Sequence, residues 1–148
     1  MERKKIVLSV LNILVLCVII FAVSLFFVYQ IKLIGFVLIG LALLCLASLS
    51  LFKITIASVY SDIIFGIIDN GILAVMSVFG GEIAGVVGAI IGGVVGNAIT
   101  DGIAGIFEGY WASKNNDQRT MVGSSVGKMA GCLLGAGAVL AVSGMFAL

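Results

Sequence analysis

The sequence predicts an all-α, polytopic helical membrane protein of about five transmembrane helices, with its N-terminus in the cytoplasm. Three observations lead there. Of the 148 residues, 62% are apolar and 10% charged, well beyond the roughly half-apolar make-up of a water-soluble domain. The apolar residues form runs that each meet the ~20 residues needed to cross a bilayer. The basic residues between the runs fall almost entirely on one side if the runs alternate in direction.

The first run, Ile6 to Tyr29, follows Glu2-Arg3-Lys4-Lys5 and is too long for the apolar core of a cleavable signal peptide. The second, Leu33 to Phe52, lies between Lys32 and Lys53. The two runs make a hairpin with a very short turn. Neither carries an ionisable residue, so this hairpin can face lipid and reads as scaffold. The third run, Ile54 to Gly80, carries Asp62 and Asp69, and the fourth, Glu82 to about Trp111, carries Asp101 and Glu108. The hydrophilic stretch Ser113 to Thr120 precedes the fifth run, Met121 to Leu148. Arg3, Lys4, Lys5, Lys53, Lys114 and Arg119 then share one side, leaving Lys32 opposite, which places the N-terminus inside and the C-terminus outside. The whole chain reads as a single membrane domain, 6–53 as hairpin scaffold and 54–148 as Gly-rich helices bearing carboxylates.

Composition excludes several functions. A formal net charge of +1 on few, scattered groups builds no nucleic-acid surface, so no nucleic acid is expected as a partner. Cys17, Cys45 and Cys132 are odd in number, lie in apolar runs and form no C-x-x-C pair, so they read as small buried hydrophobes. His is absent, which removes the usual zinc sites. Ser124 and Ser125 near Lys128 are the sole conceivable nucleophile and base, with no readable oxyanion site, so no enzyme is expected.

The fourth run has glycines at 85, 88, 92 and 96, and the fifth at 123, 127, 131 and 135. Small residues at this spacing let helices approach closely in lipid, and these faces read as interfaces, within one subunit or between copies of a homo-oligomer, dimer or higher.

The intramembrane carboxylates carry the chemistry. Asp62 and Asp69 are seven residues apart, nearly on one helical face, and Met76 continues that line. Asp101 and Glu108 repeat the spacing. If the third and fourth runs join through Gly80-Gly81, Asp62 lies at about the depth of Asp101 to Glu108 and Asp69 nearer Asn97. An ionised carboxylate there costs several kcal/mol unless it is protonated, paired or bound to a cation. Lys128 is the sole basic residue within the spans and cannot neutralise four carboxylates. Asp62, Asp69, Asp101, Glu108, Met76 and Asn97 are therefore the candidate ligands, with Ser61, Ser77 and Thr100 as neutral donors or acceptors. Met76 also suits core filling, and Glu82 reads as a solvated turn residue. Oxygen-rich ligation without His or thiolate suits magnesium, manganese or ferrous iron. A carboxyl group that releases its proton as a metal arrives would couple the two movements. The cation is cargo, and no permanently bound cofactor is expected.

Phe65-Gly66-Ile67-Ile68-Asp69-Asn70-Gly71, followed by Gly80, resembles the first-helix motif of the vacuolar iron transporter family. Gly96-Asn97-Ala98-Ile99-Thr100-Asp101-Gly102 through Phe107-Glu108-Gly109-Tyr110-Trp111-Ala112-Ser113 resembles that family's second helix. The resemblance covers roughly 62–114 and implies a dimeric five-helix protein exporting ferrous iron or manganese from the cytoplasm in exchange for protons, with Asp69 and Glu108 on the ion path. Asn70 here separates Asp69 from Gly71, Gly109 separates Glu108 from Tyr110, and two extra helices precede the motif. The expected function is a divalent-metal transporter of the prokaryotic cell membrane, iron or manganese being its cargo. The alternatives are a cation channel or holin-like pore, in which the acids form a ring, and a non-transporting assembly protein, in which they meet a partner's basic residues.

Overall fold

The computed structural model describes residues 2–114 and 120–146, with side chains described for 3–103 and 120–145. Every element among them is helical: α1 (Glu2–Phe27), α2 (Ile31–Ser48), two short 3-10 turns (Leu49–Phe52 and Ile56–Val59), α3 (Tyr60–Lys114) and α4 (Met121–Phe146). Among the described residues, four helices are long and apolar enough to cross a membrane. Large side chains such as Phe21, Phe26, Val86 and Ile90 are more than half exposed on the outside, and an exterior of this kind fits a membrane-embedded protein rather than one in water.

The third and fourth runs form one 55-residue helix with a break inside it. Ala84 (φ −136°, ψ 24°) and Gly85 (φ 58°, ψ −139°) leave helical geometry, and Gly85 occupies a region that a side chain makes costly. The chain doubles back there. Gly88 packs on Gly80, Gly92 on the Met76 carbonyl and Gly96 on Leu73, so the legs 60–83 and 86–114 run antiparallel with their backbones nearly touching. The turn therefore lies at Ala84-Gly85, about one helical turn beyond the Gly80-Gly81 expected from the sequence. Gly80 and Gly81 stay helical and serve as a contact surface instead.

Small residues also place α4. Gly127 meets Val59 and Asp62, Gly131 meets Ile63 and Gly66, and Gly135 meets Ile67 and Gly71, so α4 runs parallel to the first leg of α3. Its other flank runs antiparallel to α2, with Gly137 against Gly35 and Ile39, and Gly144 against Ile31 and Lys32. Thus α2 is more than scaffold: it seats α4. The larger side chains Leu16, Cys45, Leu49, Val59, Ile63, Val122 and Val126 close a core near the start of α3 and α4. Asn12 donates to Ser48 at 3.5 Å, which sets α1 antiparallel to α2. Arg3, Lys4, Lys5 and Lys53 consequently share one end of the bundle, with Lys32 at the other. Lys53 takes a left-handed conformation (φ 56°) as the cap of the turn leading to α3. Arg119 and most of the hydrophilic stretch lie outside the described residues.

Candidate functional site

Asp69 sits nine residues into α3, about 13 Å along the axis at ~1.5 Å per residue, and is 9% exposed. The antiparallel legs bring Thr100, itself 3% exposed, directly onto it: the Thr100 hydroxyl donates to Asp69 Oδ1. Asn70 donates to Asp69 Oδ2 at 3.2 Å and to Cys132 Sγ of α4 at 2.7 Å. A buried carboxylate is thus held by the second leg directly and tied to α4 through Asn70. The Thr100 oxygen also lies 3.1 Å from the Gly96 carbonyl and 3.0 Å from that of Asn97. A hydroxyl has one proton to give. It can donate to an ionised Asp69, or turn to a helix carbonyl and accept from a protonated one, so the same geometry serves both states.

Asp62, 3% exposed, lies in the first turn of α3, because that helix starts at Tyr60 and not at Ile54. A carboxylate there is stabilised by the helix dipole. It accepts a hydrogen bond from Ser124 of α4 at 3.1 Å and lines a recess of about 260 Å³ with Lys53, Thr55, Ser58, Thr120 and Ser124. Between the two acids, Lys128 Nζ lies 5.2 Å from the centre of the Phe65 ring, a cation–π contact.

The remaining predicted residues are distributed differently. Asn97 donates to Asp101 at 2.9 Å, one turn along the second leg, but Asp101 is exposed and turned away from Asp69. Met76 packs against Gly92 and Gly96 in the hairpin, where it fills space. The side chain of Glu108 lies outside the described residues. Among the described residues, no three of His, Cys, Asp and Glu gather closely enough to hold a metal ion. Glu82 is exposed beside the turn, and Glu82→Gln is expected to leave thermal unfolding within error of wild type.

Sequence reasoning read the cysteines alike, whereas Cys45 is fully buried, Cys17 is exposed and Cys132 accepts a hydrogen bond. Asn70 and Ser124 were not assigned as partners of the acids. The signal was weak: adjacency for Asn70, and for Ser124 a four-residue spacing to Lys128 that gains meaning only when α4 lies beside α3. No protein-family model, characterised protein or solved structure matches the chain, so the likeness to the vacuolar iron transporter family rests on the quoted motifs alone.

Proposed function

We propose that the protein is a membrane transporter of divalent metal cations, ferrous iron or manganese, that exchanges its cargo for protons. The observation that carries this reading is Asp69, a buried carboxylate deep in an apolar helical hairpin, gripped by a hydroxyl that suits either protonation state. Such a group is costly to keep unless it has a task, and cation or proton movement is the usual one. The break at Ala84-Gly85 supports counting the two legs of α3 as separate spans, giving five. The gathering of Arg3, Lys4, Lys5 and Lys53 at one end supports a cytoplasmic N-terminus.

Asp101 supports a homo-oligomer. It is exposed on the second leg at about the depth of Asp69, where contact with lipid tails would be prohibitive, and a second copy laid over that face would cover it and add its own Asp101 and Asn97. This exposed pair also favours a cation-selective pore as a second reading. The experiment is uptake of manganese, ferrous iron and magnesium into liposomes holding purified protein, with internal pH recorded. Metal uptake with opposite proton movement supports the transporter, uptake without it the pore, and no flux from folded protein refutes both.

A further inference from the structure

Asp62, Phe65 and Asp69 follow one another at three- and four-residue spacing, so they stack on one face of α3. Lys128 reaches that face from α4. Its ammonium lies over the ring of Phe65, the residue between Asp62 and Asp69 on that face, and the contacts of its neighbours on α4 set the register: Ser124, one turn before it, donates to Asp62. The backbone of Gly127 packs on the Asp62 side chain. Cys132, one turn after it, is joined to Asp69 through Asn70. A polar track thus runs along the α3–α4 seam from the recess at Thr55, Ser58 and Thr120, past Asp62 and Lys128, to Asp69 and Thr100. Lys53 lines the recess at its mouth, and Lys128 is the cation beside Phe65 farther along.

Resting on the transport reading above, we propose that Lys128 is the resident counter-ion of this track: its ammonium stands in for cargo between Asp62 and Asp69 when the route is empty, and an incoming cation displaces it. A lysine suits the part because its charge is compact and its four-carbon stem is flexible. The Phe65 ring gives the ammonium a resting place that a neutral side chain would not use. The consequence is a route that releases its cargo readily, because each bound cation is opposed by a tethered positive charge.

The test uses full-length protein in lipid nanodiscs, titrated calorimetrically with manganese(II) chloride, and the same variants in liposomes for uptake. Lys128→Met is expected to bind manganese about tenfold tighter, having lost a competing positive charge on the same seam, and to transport it more slowly. Lys128→Arg keeps the charge and should bind manganese with near wild-type affinity, and Asp62→Asn added to Lys128→Met should return affinity toward the wild-type value. A lysine that merely supports packing would give equal or weaker binding in Lys128→Met, and that result, with wild-type uptake intact, overturns the proposal while leaving the transport reading standing. If Lys128→Met does not fold, Lys128→Gln carries the same comparison. Absence of uptake that depends on Asp69 in the wild-type protein removes the transport reading, and the proposal with it.

Discussion

Replacing Asp69 by Asn is expected to reduce cation uptake by about a hundredfold while the helical bundle stays assembled. The side chains have the same shape, so the Thr100 hydroxyl keeps an acceptor and the packing of the hairpin is preserved. What changes is charge. Asn cannot attract a cation or carry a proton across, and losing one charge-assisted contact at a buried site is worth about 2–3 kcal/mol, or roughly a hundredfold in equilibrium terms. The amide also turns a donor toward Asn70, a local cost of about 1 kcal/mol that should appear as a small drop in thermal stability. Uptake into liposomes and unfolding in detergent measure the two effects separately. Uptake within a factor of a few of wild type would remove Asp69 from the route.

Gly92→Leu should do the reverse, destroying the fold rather than the chemistry. A Cβ at Gly92 would fall on the Met76 carbonyl, and backbone cannot swing aside as a side chain can. The legs of α3 would have to separate, and Asp69 would lose Thr100. Forcing side-chain atoms into a filled contact costs about 1–3 kcal/mol or more, and here the added group meets main chain. Loss of the folded fraction on size-exclusion chromatography, or a fall of many degrees in melting temperature, is the expected result. Gly40→Ala supplies the control, because a Cβ there meets nothing within 4 Å, and it should leave the melting temperature unchanged or slightly raised. Equal tolerance of both substitutions would mean that the close approach of the two legs does not support the fold.

The two substitutions separate what the residues carry by themselves from what their placement adds. The helical class, the apolar runs and the positions of the acids are legible in the chain because they depend on composition and on the ~20-residue length of a crossing. The glycine stripe at 123, 127, 131 and 135 is legible too as a close-packing surface, since four-residue spacing puts small residues on one helical face. Its partner is not, because a glycine offers no side chain to identify what it touches.

The site was legible in part. Asp69 stands out for its depth and charge, but its partner depends on where the hairpin turns. Two adjacent glycines at 80 and 81 suggest a break, yet a helix can pass through them when another backbone packs against them, and the turn falls instead at Gly85, whose φ 58° with ψ −139° strongly favours glycine. That shift decides that Thr100 meets Asp69. The placing of Asp101 on the outer face, of Asn70 between Asp69 and Cys132, and of Lys128 over Phe65 likewise follows from how the helices are rotated and stacked. The sequence by itself determined an apolar, helical chain with a few carboxylates spaced along its apolar runs. Only the tertiary structure decided which of them face inward and what they touch, because helix contacts in an apolar setting are set by backbone proximity, a property of pairs of segments and not of either one alone.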